Sequence, residues 1–495
     1  MKKLLILVLT LVLGFSLIGC DEEVSDEIDF LTTTELIEMA KNNTNKGGSN
    51  GSIEVTGTPN FDVPSVGYDG SAVEITFYHT MGKNLRDVLD KYIVEFNKLY
   101  PNIKVTHEQV GSYDDVRNQI STELTAGAEP NVAYCYPDHV ALYNLAGAVV
   151  TLDNLIDDPN VGLTAEQKAD FIQGYYDEGR QFGDGLMYSM PFSKSTEVLY
   201  YNKTFFDTNN IPVPDHWFSE NENDTTSLEA VCKKIKEIDD TCIPLGYDSE
   251  SNLFITMCEQ LGSDYTTASG SKHFLFDNNV NKSFCNIFRS WYQTGLMTTQ
   301  ELYGSYTSGL FVATEGTKSY MSIGSSAGAT HQRPASVDGV YPFEVGIATI
   351  PQMNPENPKV ISQGPSVCIF KKDNPQEVVA SWLFVKFLTT SVYFQAEFSS
   401  VSGYVPVIKS VGDNPSYQAF LAKADGGDGI AALSAKVCLE QEKAYYTSPA
   451  FNGSSKAREE VGYIITKVLS NDTSNLNQLI NKTFKDAVTN CEFYS

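Results

Sequence analysis

Nine cysteines, six histidines and 62 acidic residues are the side chains that could break bonds or hold a metal in this 495-residue sequence. Their spacing argues for neither. The cysteines after Cys20 stand at Cys135, Cys232, Cys242, Cys258, Cys285, Cys368, Cys438 and Cys491, with no C-x-x-C pair among them. Eight is an even number, so a disulfide framework is open and its connectivity undetermined, with Cys232–Cys242 the first pair to test. Cys232, Cys258, Cys285, Cys368 and Cys438 sit among apolar neighbours and read equally well as buried thiols. The histidines, His79, His107, His139, His216, His273 and His331, show no H-E-x-x-H and no ligand spacing, so neither a metal nor a cofactor is expected. A glycosidase would need two carboxylates about 5–10 Å apart over one bond, and no acidic pair lies in a motif that nominates it. Nor do the residues single out a Ser–His or Cys–His arrangement. These residues nominate no catalytic or metal site, and an extracellular carbohydrate-active enzyme stays open as a competing class.

The residues around Cys20 carry a different message. Lys2 and Lys3 precede an uncharged run, Leu4–Ile18, that closes on Leu17, Ile18, Gly19 and Cys20. This order is that of a secretory signal. The run is shorter than the roughly 20 residues a membrane-crossing helix needs. Its last four residues resemble a bacterial lipobox, which implies cleavage before Cys20 and a lipid on that cysteine. The expected location is the outer face of the cell membrane. Asp21–Ala72, rich in Asn, Gly, Ser, Thr and Pro from Lys41 to Gly70, reads as a mobile tether with a helical turn or two around Leu31–Ala40.

The formal charge of −27 becomes −29 without Lys2 and Lys3, and no basic cluster stands out, so nucleic acid is not an expected partner. Val378–Phe394 is the most apolar later stretch, but it is short and Lys386 interrupts it, which suits a buried helix.

The elements that must position any site begin at Val73. Val73, Ile75 and Phe77 alternate as a strand; Leu85, Val88, Leu89, Tyr92, Ile93, Phe96 and Leu99 then follow steps of three and four, the signature of an amphipathic helix, which Pro101 stops. Ile103 to Val110 resumes an extended pattern, Tyr113–Ala126 reads as a helix and Val132–Tyr136 as a strand. This repetition predicts parallel α/β structure. Strands are expected at Ser195–Tyr201, Ser319–Gly324, Phe343–Ile350 and Val367–Phe370. Helices are expected at Leu228–Ile238, Asn279–Thr294, Pro375–Thr390, Ile430–Tyr446, Ser454–Leu469 and Ser474–Thr489.

Five stretches in order across some 330 residues resemble the extracellular solute-binding proteins of ABC importers, the cluster serving maltose, oligosaccharides and glycerol-3-phosphate. They are Ile75–Met81 with Phe96–Val105; Gly127–Val132; Met190–Lys203; Gly364–Val367 with Ala380–Leu388; and Ser402–Pro406. The resemblance implies an α/β fold of the two-lobe periplasmic-binding-protein type (type II), with a ligand cleft between lobes joined by hinge strands. The expected division is signal peptide 1–20, tether 21–72, lobe I at 73–195 and 364–405, and lobe II at 196–363 and 406–495. It implies a monomeric receptor for a carbohydrate or polyol phosphate that delivers its ligand to permease subunits; a sensor of the same fold uncoupled from transport is the remaining alternative. Carried over position by position, the ligand residues are Tyr113, Tyr136, Ser195, Ser325, Gly364, Tyr404 and Arg458, with Arg458 the partner of any phosphate. One departure concerns the ligand: glycerol-3-phosphate binders of this family have an acidic residue directly after the tyrosine, where this chain has Pro137 and then Asp138. Asp138 is therefore expected to take that role one position later, and the pattern of Tyr136, Ser195, Tyr404 and Arg458 still leans toward the glycerol-3-phosphate subgroup.

Overall fold

A computed structural model describes residues 27–44, 54–425 and 429–493. The strand–helix–strand opening forms as the alternation predicts. Val73–His79 pairs in parallel with Ile103–Gln109 on one side and Val132–Cys135 on the other, with Val73 opposite Ile103 and Phe77 opposite Val132. Between the first two strands, helix Lys83–Leu99 buries Val88, Leu89, Tyr92, Ile93 and Phe96. Ser366–Ile369 and Met190–Pro191 complete this five-stranded sheet of lobe I, Ser366–Ile369 running antiparallel to Val132–Cys135.

The sheet of lobe II has seven strands built around Ser195–Asn202, which pairs antiparallel with Val360–Gln363, Met321–Ser325 and Val345–Ala348. Leu245–Tyr247, Met297–Thr299 and Tyr445–Tyr446 extend it. Residues Val405 and Ile408 still bridge to Lys194 and Phe171, on the lobe I side.

Two departures from local expectation share a cause. Ile430–Tyr446 reads as one helix, yet the helix ends at Glu440, and Tyr445–Tyr446 is a strand opposite Val360 and Ile361. Helix Glu250–Leu261 escapes the pattern because it is buried nearly all round, leaving no polar face to set a period. In both places tertiary contact, absent from local sequence, decides the state.

Where Asp21–Ala72 is described it is docked and does not hang free, and the helical turns expected around Leu31–Ala40 do form. Helix Thr33–Asn42 forms behind a Thr32–Glu35 capping box and buries Leu36, Ile37 and Ala40. Residues 54–72 lie along lobe I: Thr56 and Gly57 donate to Asp184 O at 2.9 and 3.0 Å. Asn60 Nδ2 donates to Val149 O at 2.9 Å, and Gln376 Nε2 to Gly67 O at 3.1 Å. Polar composition does not prevent docking here, because side-chain amides satisfy backbone groups and replace some of the missing apolar area. Residues 1–26, including Cys20, and 45–53 lie outside the described residues.

Among the described residues no single helix is long and apolar enough to cross a membrane. Pro375–Thr390 buries Val378, Val379, Trp382, Phe384, Val385 and Leu388 within lobe I, as expected. The eight cysteines after Cys20 are free and buried, so the Cys232–Cys242 disulfide is not formed.

The strands that join the lobes cross at Lys194 and Gly364. Lys194 is fully buried and its ammonium is paired with Glu178; Nζ also donates to Ser366 Oγ at 3.0 Å and to Gly364 O at 3.2 Å. Ser366 Oγ in turn donates to Glu178 at 3.1 Å. Gly364 has φ of +89°, and a Cβ there would stand 2.5 Å from Ser193 O and 2.9 Å from Lys194 Cα. No side chain fits. Glu178→Ala leaves a buried ammonium uncompensated and is expected to cost about 3–5 kcal/mol of stability, and Gly364→Ala about 1–3 kcal/mol. Chemical denaturation measures both; a Glu178→Ala variant as stable as the parent would contradict this view of the hinge.

Candidate functional site

Beside this crossing, a cavity of about 970 Å³ lies between the lobes. Lobe I lines it with side chains from element junctions at the ends of its strands, where α/β sheets generally hold ligands. Ser112 caps helix Tyr113–Glu123 and so places Tyr113 in its first turn. Tyr136 follows strand Val132–Cys135, and Pro137 opens the next helix with Asp138 beside it. Gly403, at φ +77°, ends helix Val392–Ser402 and turns the chain into Tyr404. The Tyr113 and Tyr404 hydroxyls are 3.2 Å apart, and the Tyr113 and Tyr136 rings lie 4.8 Å apart, tilted by 45°. Burial pushes all three phenols up from their usual range, so they remain protonated hydrogen-bond partners.

Lobe II supplies an ordered polar network. The Arg458 guanidinium, from helix Ser454–Ser470, donates to Asn252 Oδ1 on helix Glu250–Leu261. Asn252 Nδ2 donates to Glu197 Oε1 at 2.8 Å, while Tyr247 OH donates to Oε2 at 2.6 Å. Glu197 belongs to the hinge strand and is buried; burial raises its carboxyl from 4.5 to about 7 against these hydrogen bonds. Asp248 accepts from Thr307 N and Oγ1 at 2.6 and 2.7 Å, and burial raises its carboxyl too. At the mouth, Arg117 of lobe I reaches Ser455 Oγ of lobe II at 3.1 Å and Asp114 at 3.2 Å.

Several atoms in this wall have no protein partner: Gln332 Oε1, His139 Nδ1, Thr266 Oγ1, Thr447 Oγ1 and Ser362 Oγ. Burial pushes the His139 imidazole down, which keeps it neutral. Buried donors and acceptors left unsatisfied cost about 1–3 kcal/mol each, so these atoms weigh on the stability of the wall. Aromatic faces beside such atoms can cover C–H surface while the hydroxyls are held.

The structure brings Tyr113, Tyr136, Asp138, Ser325, Tyr404 and Arg458 to one cavity. Ser195 and Gly364 do not line it: Ser195 is buried in the hinge strand opposite Gln363, and Gly364 is at the crossing. Their types match the motif because the hinge needs them, not because they face the cleft. Sequence reasoning missed Glu197, Asn252, Tyr265 and Gln332. An acid embedded between Thr196 and Val198-Leu199-Tyr200 was a usable signal for Glu197; Asn252 and Gln332 left none.

Gly324, Ser326 and Gly328 have the G-x-S-x-G spacing of a hydrolase nucleophile, as do Gly47, Ser49 and Gly51 outside the described residues. Ser326 is fully buried and its Oγ accepts from Thr196 N at 3.1 Å, so it is not presented to a substrate. Among the described residues no group of three or more His, Cys, Asp or Glu could hold a metal.

Residues 91–424 match the family described as bacterial extracellular solute-binding protein, about two thirds of the chain. The sn-glycerol-3-phosphate-binding periplasmic protein UgpB of Salmonella typhimurium is 26% identical over 145 residues, 29% of this chain and 32% of that protein. UgpB of Yersinia pestis is 26% identical over 162 residues, 32% of this chain and 36% of its own length. The chain thus spans about a third of the length of the curated relatives it matches. Among solved structures, UgpB from Mycobacterium tuberculosis in complex with glycerophosphocholine superposes with a TM-score of 0.65 at 17% identity, covering 86% of this chain and 99% of that one. The sugar-binding protein MalE from Xanthomonas citri gives 0.66 at 17% identity, covering 85% and 98%. These likenesses establish the two-lobe fold. Together with the family match, they show that the chain belongs to the bacterial extracellular solute-binding proteins.

Proposed function

We propose that this chain is a monomeric receptor, held by lipid on Cys20 at the outer face of the cell membrane, that captures a carbohydrate or polyol phosphate and presents it to the permeases of an ABC importer. The observation that carries this reading is the cavity in which Tyr113, Tyr136 and Tyr404 of one lobe face the Arg458–Asn252–Glu197 network of the other. A solute touching both walls favours the closed arrangement of the lobes, the form a permease would recognise.

The lining supports a neutral polyol more strongly than a phosphate. Asp114, Asp138, Asp248 and Glu459, besides Glu178 already paired with Lys194 and Glu197 with its raised carboxyl, stand against two arginines, Arg117 and Arg458. Both arginines already have partners in Ser455, Asp114 and Asn252. A phosphate would have to draw Arg458 away from Asn252, whereas a sugar hydroxyl can add to the network as it stands.

Calorimetric titration with maltose-type oligosaccharides, glycerol-3-phosphate and its diesters is expected to give saturable heat for at least one solute. Tyr404→Ala should weaken that binding by roughly 10–100-fold, about 1.5–3 kcal/mol; silence across the panel would sink the reading. Because the carboxyl of Glu197 lies above its unfolded value, the folded state binds the extra proton between the two, and stability falls as pH rises from 4.5 to about 7. Glu197→Gln should remove on the order of 3 kcal/mol of that dependence, read as the difference between denaturation curves at pH 5 and pH 8; identical pH profiles for variant and parent would contradict it. Labelled palmitate should enter the parent and not Cys20→Ser, and equal labelling of both would refute the anchor.

A further inference from the structure

Of the segment after Cys20, residues 27–44 dock on lobe II, whereas residues 54–72 lie along lobe I. Ile28 is buried, and Leu31 N donates to Ser283 Oγ at 2.9 Å on helix Asn279–Gln293. Helix Thr33–Asn42 then buries Leu36, Ile37 and Ala40, with Lys41 paired to Glu220 at 2.8 Å. Its end is held on every side. Asn43 Nδ2 donates to Glu259 O at 3.0 Å, and Asn354 and Asn357 donate to Ala40 O and Asn43 O at 3.2 and 2.9 Å. Gly262, at φ +69°, makes room for it: a Cβ there would meet Asn43 Cγ at 2.8 Å. All these partners belong to lobe II.

Helix Glu250–Leu261 relates this dock to the binding cavity. Ser251, Asn252 and Ile255 near its start line the cavity, whereas Leu261 and the following Gly262 lie at the dock, roughly 14 Å along the helix from Asn252. Only residues 21–26 separate Cys20 from Glu27. Seven residue steps reach roughly 25 Å at full extension, less than the roughly 30 Å across a small domain.

We infer that the anchor grips the receptor by lobe II, through the docked segment Ile28–Asn43, so that this pole stays within reach of the bilayer and lobe I is the lobe that swings. This rests on lipidation of Cys20. It replaces a freely hanging receptor with one that pivots about a fixed point, and it assigns Leu36, Ile37 and Asn43 to membrane orientation instead of ligand capture. The surface beside the dock is correspondingly the one that meets lipid headgroups.

Energy transfer to an acceptor dye on the vesicle surface tests this with the full lipidated protein. The remaining cysteines are buried, so a donor can be placed selectively at Asn279→Cys, exposed beside the dock, or at Tyr393→Cys, 72% exposed on lobe I. Transfer from the first site is expected to be at least twofold greater than from the second. The double variant Leu36→Asp/Ile37→Asp, with its fold checked by circular dichroism and solute binding, should erase the difference. Equal transfer from both sites in the parent would overturn the inference. Protein that carries no lipid and stays off the vesicles would overturn the anchor reading instead, a distinct result.

Discussion

The buried Lys194–Glu178 pair is the constraint on which the rest of the molecule depends. Two charges taken out of water at a strand crossing are tolerated only when each remaining hydrogen-bonding site is filled, and here Ser366 Oγ and Gly364 O fill them. Glu178 comes from a helix of lobe I, Lys194 from the first crossing strand, and Ser366 from the second. The pair therefore ties both crossings to one lobe. Gly364 allows the crossing strands their close approach, since any side chain would strike Ser193 or Lys194. The crossing thus stays tied to lobe I while the lobes turn about it, and lobe I keeps its own face of the cleft, where residues distant in sequence, such as Tyr113 and Tyr404, come within 3.2 Å.

How much of this could be read in advance differs by element. Helix Leu228–Ile238 and helix Pro375–Thr390 have the expected bounds, the first by its alternation of apolar and polar faces and both by their caps. Helix Glu250–Leu261 and strand Tyr445–Tyr446 were illegible because their states are set by burial and by pairing with Val360–Ile361. The N-terminal segment misled for a related reason. Composition measures how much apolar surface a segment can bury, but not how many of its backbone groups a body can satisfy with Asn and Gln side chains. Asn354, Asn357 and Gln376 do so from 314, 314 and 309 residues away, and Asn60 of the segment itself donates back to Val149 O across 89 residues.

The site divides the same way. Tyr404 stands in the Ser402–Pro406 motif, whose turn residue Gly403 has a local cause, so it was legible; Tyr136 lies outside the five stretches and was carried over by position, beside the departure at Pro137. Ser195 and Gly364 share such motifs but serve the hinge, which shows that a family signature records the demands of folding together with those of binding. Glu197 lies between the two roles: it is a residue of the hinge strand, yet its carboxylate organises Tyr247, Asn252 and through it Arg458 at the cavity wall. A carboxyl held near neutrality by burial is costly to ionise, and its hydrogen bonds to Tyr247 and Asn252 offset part of that cost. Closure on a solute thus draws on the same groups that maintain the hinge.

That coupling is tested most directly by the distance between the lobes. Spin labels at Lys83→Cys on lobe I and Lys234→Cys on lobe II, both on exposed side chains, can be followed by pulsed electron paramagnetic resonance. Saturation with the bound solute is expected to shift the distribution to one shorter and narrower separation. A distribution that saturating solute leaves unchanged would contradict a receptor that signals capture by closing its two lobes.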